Sequence, residues 1–188
     1  GKTVLFDYSS PNICKPFHIG HLGTTVIGHS LKLLHAFEGY NCVGINHLGD
    51  WGTQFGKQIV AFRLWGDRET VEKGGIDELV KLYVRFHEEA EKDPSLNDRA
   101  REEFHKLEEG DPENIALRNW FAKVSMKEYE ATYGQLGITF DSYKGESFYV
   151  DKVPEIVSML RERGLNVSGE ILTVEEMEVE LCRLRSSI

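Results

Sequence analysis

Cysteine is scarce in this chain. The three present among 188 residues, Cys14, Cys42 and Cys182, form no close pair and no Cys-x-x-Cys. So odd and scattered a set excludes a disulfide-stapled secreted scaffold and fits a reducing, cytoplasmic setting. Long apolar runs are missing too: no stretch approaches the roughly 18 residues that read as a membrane span, and no basic-then-apolar leader opens the chain. Repeats and low-complexity tracts are absent. Net positive charge is also lacking, because 22 Lys and Arg stand against 31 Asp and Glu, a formal charge of −9. A domain that grips nucleic acid along its phosphates shows a basic footprint. Here the charge is unevenly divided. Residues 1–66 carry five basic and three acidic groups, whereas the remainder carries 17 and 28. Chemistry with an anionic ligand therefore belongs to the first third, and the acidic remainder is poorly suited to extended phosphate contact.

What is present is ordinary for a globular protein, with 40% hydrophobic and 28% charged residues in a length that buries a real core. Thr3–Phe6 is an apolar run that ends in the turn-rich Ser9-Ser10-Pro11-Asn12, as a buried strand leading into a loop does. Leu22, Ile27, Leu31, Leu34 and Phe37 follow with helical spacing until Gly39 stops them. Cys42–Asn46 is a second strand. Strand, helix and strand of this length predict a βαβ unit with parallel strands and a right-handed crossover. Ligands of such sheets lie beyond the carboxyl ends of the strands, a rim that here comprises residues 7–21 and 46–56. A second helix spans Gln54–Trp65, and the charged, helical pattern from Ile76 to Gln135 predicts a helical insertion or outer layer. Phe140–Tyr149 is strand-and-turn material, Val153–Arg163 a short helix ended by Gly164, and residues 170–188 keep no firm period.

The segment that carries chemistry is Ser9-Ser10-Pro11-Asn12-Ile13-Cys14-Lys15-Pro16-Phe17-His18-Ile19-Gly20-His21. It sets two histidines three residues apart at a helix start, on the face of the first turn where free backbone amides point outward. That is a place for a phosphate or a developing anion. Gly20, without a side chain, lets a flat group such as an adenine ring approach the backbone, and Lys15 adds a mobile positive charge. Other readings of the same residues stand beside this one. A His-x-x-His is often structural, and Cys14, His18 and His21 have the composition of a zinc site. No fourth ligand stands at a familiar spacing, however, and Lys15 between them opposes a cation, so no metal site is expected.

His18-Ile19-Gly20-His21 is, letter for letter, the HIGH motif of class I aminoacyl-tRNA synthetases. The surrounding Ser-Ser-Pro-Asn-Ile-x-Lys-Pro-Phe-His-Ile-Gly-His-Leu resembles the arginine enzymes in particular. So does Ile45-Asn46-His47-Leu48-Gly49-Asp50-Trp51-Gly52-Thr53-Gln54-Phe55-Gly56, in the place of that family's second block. Weaker similarity continues through Leu136-Gly137-Ile138-Thr139-Phe140-Asp141 and Gly145-Glu146-Ser147-Phe148-Tyr149, so the likeness covers about residues 4–165.

The resemblance implies an α/β fold, a Rossmann-like parallel sheet of the HIGH-type nucleotidyl transferases with a mainly helical insertion near residues 67–136. It implies that residues 1–188 are part of a class I catalytic domain, excised or cut short, with the anticodon-binding domain absent. The implied activity joins L-arginine to ATP as arginyl-adenylate and passes the arginyl group to the 3′ end of its tRNA. ATP enters with Mg2+ as a substrate complex, and no tightly bound cofactor is expected. His18, His21 and Lys15 are the implied catalytic residues. Ser9, His18, Gly20 and His21 are implied to contact ATP, and Asp7, Ser10, Pro11, Asn12 and His21 to hold arginine. Asp7 has a second reading as a turn cap, and Asp50, Trp51 and Gln54 support the pocket wall, Trp51 by packing. The implied partners are arginine, ATP and the arginine tRNA, in a cytoplasmic monomer with no membrane contact.

Two departures from the family pattern lie in the first helix. Gly23-Thr24-Thr25 replaces the common Arg-Ser-Thr, and His29 stands where an acidic residue is frequent. Two further functions remain open: a nucleotidyltransferase of related His-x-Gly-His fold acting on another acceptor, and a non-catalytic, synthetase-like binding fragment.

Overall fold

Two parallel strands joined by one long helix form the amino-terminal layer of the structure, a computed structural model that describes residues 1–164. Strand β1 (Thr3–Asp7) and strand β2 (Asn41–Ile45) pair in register from Thr3 opposite Asn41 to Asp7 opposite Ile45. Strand β1 is built largely from β-branched and large apolar residues, and β2 contributes Val43 and Ile45, which fit a pleated surface. Helix α1 (Ile19–Phe37) makes the crossover, and the chain reverses through Gly39 at a φ of 87°. The predicted βαβ unit is therefore present, with boundaries shifted by no more than one residue for the strands.

A further parallel rung forms on the far side of β2, where Ile45 bridges Ser142. The Asp141 amide donates to the Gly44 carbonyl at 2.9 Å and the Asn46 amide to the Ser142 carbonyl at 2.9 Å. The Asp141 carboxylate accepts from the Gly44 amide at 2.7 Å and from the Lys32 ammonium at 2.6 Å, which ties α1 to this edge. These contacts hold the Asp141 carboxyl below its usual range, the Lys32 hydrogen bond most of all.

The remaining elements of Gly1–Tyr149, which form one compact unit, are helical: α2 (Thr53–Trp65), α3 (Arg68–Gly74), α4 (Ile76–Lys92), α5 (Ser95–Glu108) and α6 (Pro112–Leu136). Their starts obey local rules. Asp67 accepts from the Thr70 amide at 2.8 Å ahead of α3, and Asp111 from the Asn114 amide at 2.9 Å ahead of α6, whose first residue is Pro112. Along α4 the buried residues Ile76, Leu79, Leu82, Phe86 and Ala90 recur every three or four positions, an amphipathic stripe. The core gathers around α2, where Phe55 and Ile59 meet Leu79, Phe86, Phe121 and Tyr129, all at most 1% exposed. It thus lies among helices α2 and α4–α6 rather than against the two strands.

The apolar stripe that announces α1 in the sequence is largely solvent-facing: Ile27 is 64%, Leu34 62% and Phe37 88% exposed. Helical spacing there marks the helix without marking burial. A second unit begins at Val150. Within it α7 (Val153–Glu162) carries Pro154 in its first turn and ends ahead of Gly164 at a φ of 66°. The irregular pattern of residues 170–188 lies outside the described residues.

Candidate active site

The carboxyl ends of β1 and β2 stand side by side, since Asp7 and Ile45 are the last paired residues of the two strands. The loops beyond them then pair with each other. The Ile13 amide donates to the Gly49 carbonyl at 3.0 Å and the Gly49 amide to the Pro11 carbonyl at 3.1 Å, with a parallel bridge between Asn12 and Gly49. The two motif-bearing segments thus form one rim, at the place the parallel topology predicts for a ligand.

At that rim His18 caps α1. Its Nδ1 accepts from the Gly20 amide at 3.1 Å, while the His18 amide donates to Nδ1 of His21 at 3.3 Å, a reciprocal capping box. The two imidazoles stack with centroids 3.8 Å apart and planes inclined by 24°. Because both Nδ1 atoms accept, each neutral ring carries its proton on Nε2, a tautomer assigned from the hydrogen bonds. Protonating either Nδ1 would set two donors against each other and open the cap. Burial, the neighbouring His18 and the Lys15 ammonium together lower the His21 pKa below its ordinary value. The pair therefore turns both Nε2 atoms outward at a helix amino terminus, next to a lysine whose field reaches His21. A Cβ on Gly20 would sit 3.0 Å from His18 Cε1, so a bare residue at this point also leaves room for the capping ring.

The loop between β1 and α1 is strained and held from beneath. Ser9, Ser10 and Cys14 all adopt positive φ, at 75°, 49° and 63°, a region that costs non-glycine residues energy and persists only under outside constraint. Helix α6 supplies much of that constraint through three hydroxyls at intervals of four residues. Ser125 Oγ accepts from the Cys14 amide at 3.1 Å, Tyr129 OH reaches the Asn12 and Lys15 carbonyls at 2.7 and 2.6 Å, and Tyr133 OH meets Ser9 Oγ at 2.7 Å. Burial drives the Tyr129 phenol well above its ordinary range, so it stays protonated as a donor.

The rim's second loop has its own brace. Buried Asp50 forms an ion pair with Arg118 of α6, whose Nε and Nη2 also donate to the Asp50 carbonyl at 3.1 and 3.0 Å. The Ser147 amide and hydroxyl donate to the same carboxylate at 2.8 and 2.7 Å. Trp51 is half-buried and packs edge-on against Phe104 at 5.8 Å, the packing role expected of it. Gln54 lines a narrow pocket with Ile13, Cys14 and Phe55.

The structure brings Lys15, His18, Gly20 and His21 together at one helix start. Asp7 and Ser10 meet at the end of β1, with Ser10 Oγ donating to Asp7 Oδ1 at 3.1 Å, a side-chain contact that decides neither reading of Asp7. Pro11 is buried and enters the rim through its carbonyl. Ser9 is buried as well, and its hydroxyl is engaged by Tyr133 and Thr25, so its backbone is what it offers to a ligand. The Cys14-His18-His21 metal reading finds no geometry: no group of three His, Cys, Asp or Glu comes together among the described residues. Cys14 is instead buried with its thiol pushed up to about 12 by that burial. Sequence reasoning missed Thr25, Asn46, Arg118, Ser125, Tyr129 and Tyr133 as residues that hold the site. The recurrence of hydroxyls at 125, 129 and 133 on one helix face is visible in the sequence, but nothing there says which residues they reach.

A parallel βαβ unit with a histidine-capped crossover helix at its carboxyl rim matches the catalytic domain of the class I aminoacyl-tRNA synthetases. The particular branch is the arginine one. The chain belongs to the family described as tRNA synthetases class I (R), catalytic domain, which matches residues 1–183. It is 53% identical over its whole length to an arginine–tRNA ligase of Clostridium botulinum (strain 657), covering 34% of that protein. Over 97% of its length it is 55% identical to an arginine–tRNA ligase of Clostridium beijerinckii, covering 33%. An arginyl-tRNA synthetase from Plasmodium falciparum superposes with a TM-score of 0.71 at 31% identity, over 92% of this chain and 30% of that one. The chain thus spans about a third of the length of the curated relatives it matches.

Proposed function

We propose that this chain contributes the HIGH side of the ATP site and one wall of the arginine pocket to a protein that makes arginyl-adenylate and charges the arginine tRNA. In that reaction a carboxylate oxygen of arginine attacks the α-phosphorus of ATP, an O–P bond forms, and the bond to the departing pyrophosphate breaks. Negative charge gathers on the phosphoryl oxygens, and donors fixed beforehand stabilise it without reorganising. His18 and His21 supply such donors from Nε2, and Lys15 supplies a positive charge. Gly20 and the Ser9 backbone border the nucleotide, and ATP brings its Mg2+ with it. Asp7, Ser10, Pro11, Asn12 and His21 face arginine, the Asp7 carboxylate matching the planar guanidinium. Helices within residues 67–136 form the insertion that buttresses both loops. Recognition of the tRNA beyond its acceptor end falls to further sequence in proteins of the relatives' length, acting as cytoplasmic monomers.

The observation that carries this reading is the stacked His18–His21 pair, with both Nδ1 atoms occupied, at the carboxyl rim of two parallel strands. Arginine-dependent exchange of pyrophosphate into ATP, by a protein bearing this chain at the relatives' length, tests it. Exchange that requires arginine is expected, and exchange driven only by another acceptor would replace the ligase by a related nucleotidyltransferase. The 188 residues alone are expected to give little or no aminoacylation.

A further inference from the structure

A single hydrogen-bonded chain runs from the serine loop to the histidine turn, and its proton count closes in only one direction. Thr25 Oγ1 lies 2.6 Å from the His21 carbonyl and 2.7 Å from Ser9 Oγ. It has one proton, and a carbonyl can only accept, so Thr25 donates to His21 and accepts from Ser9. Ser9 Oγ has then spent its proton and must accept from Tyr133 OH at 2.7 Å. Tyr133 in turn accepts from Asn46 Nδ2 at 3.0 Å, and Asn46 Oδ1 accepts from the Ser10 amide at 3.0 Å. Every hydroxyl donates once and accepts at least once. Ser9, Thr25, Asn46 and Tyr133 are all at most 6% exposed, so water does not compete. Aligned hydrogen bonds of this kind reinforce one another in a low dielectric, and deleting a middle member strands its neighbours.

We propose that Tyr133 is a positioning residue that couples the strained Ser9-Ser10 loop to the His21 turn, so that the amino acid wall and the nucleotide-binding turn are set as one unit. The assignment of those two segments to arginine and ATP rests on the function proposed above; the coupling itself does not. Ser9 and Ser10 hold positive φ at one end of the chain, and His21, half of the stacked pair, sits at the other. Tyr133 touches neither proposed substrate. It acts by denying the loop its relaxed conformations.

Two variants, one at the centre of the chain and one at its His21 end, test this in the 188-residue protein. Tyr133→Phe removes the central hydroxyl and keeps the ring; Thr25→Val keeps the shape of the side chain and removes the link to His21. Hydrogen exchange of the Ser10 amide should accelerate at least about tenfold in Tyr133→Phe, which loses the buried hydrogen bonds to both Ser9 and Asn46. It should accelerate in Thr25→Val as well, although Thr25 does not touch Ser10, while the Leu79 and Phe86 amides in α4 stay protected. Thr25→Ser should restore the native rate. In the longer protein each variant should raise KM for arginine and for ATP together with kcat little changed, and the double variant should lose no more than either single one. Unchanged Ser10 exchange in Tyr133→Phe, or losses that multiply in the double variant, would overturn the coupling. Absence of arginine-dependent exchange in the unsubstituted longer protein would instead remove the ligase reading, and the Ser10 measurement would still decide the coupling.

Discussion

Two imidazoles stacked at 3.8 Å cannot both be protonated without repulsion, and each already uses Nδ1 as an acceptor. The consequence for His21 has a definite sign. Its folded pKa lies below the ordinary 6.5, first through burial and then through His18 and Lys15. The unfolded chain therefore binds the proton more readily, and stability rises with pH across the window between the two pKa values. The contribution of neutral His21 is complete above 6.5, declines as pH falls below it, and stops changing once the folded His21 is also protonated. His21→Gln removes the titration yet keeps a side chain able to close the capping box. Urea unfolding at several pH values is expected to show the native chain losing ground to this variant on acidification from neutral pH. Parallel stability curves would mean that His21 is not the titrating group.

Elements report their own packing, and α1 contains a matched pair of glycines that reads it out. A Cβ at Gly28 would fall 2.3 Å from Tyr8 Cβ, whereas one at Gly23 meets nothing within 4 Å. Gly28→Ala is expected to destabilise by about 1–3 kcal/mol through overpacking, and Gly23→Ala to stabilise by up to about 1 kcal/mol through helix propensity. Denaturant titration separates the two, and equal effects would contradict the contact of α1 with Tyr8. The brace at Asp50 gives a second test at this scale. Arg118→Leu leaves a carboxylate only 12% exposed without its partner and is expected to cost about 3 kcal/mol. Retention of full stability would show that Ser147 alone satisfies Asp50.

These elements also show what a sequence can disclose. The limits of α1, β1 and β2 were legible because they depend on nearby residues: a histidine-bearing first turn after a turn-rich stretch, a reversal at Gly39, short apolar runs ending in turns. The histidine pair and Lys15 were legible because they lie within seven residues of one another. The hydroxyls of Ser125, Tyr129 and Tyr133 were not. They reach residues more than 100 positions away, and on the chain two tyrosines in a helix look like core. Nor could spacing tell that the stripe on α1 faces outward, since the period fixes a face but not what covers it.

Over the whole molecule, that face has consequences. Ile27, Leu31 and Leu34 recur at four- and three-residue steps along α1 and are all exposed, as is Leu5 on β1. Strand β1 pairs with β2 alone among the described strands, so its other edge makes no ladder hydrogen bonds among the described residues. An apolar helix face beside an open strand edge is a surface on which chains associate. A net charge of −9 opposes that association, but the repulsion is screened by salt within about 8 Å at physiological ionic strength. The 188-residue chain is therefore expected to bind an apolar reporter dye and to self-associate more strongly as salt is raised. Leu31→Glu together with Leu34→Lys replaces two exposed apolar side chains with an oppositely charged pair one helical turn apart. This variant should lose both dye binding and self-association while its melting temperature stays close to that of the native chain, as exposed substitutions do. Dye fluorescence and sedimentation velocity at low and high salt provide the measurement. A large fall in melting temperature would show that α1 buries this face within the folded chain, and a native chain that neither binds dye nor associates would show the same.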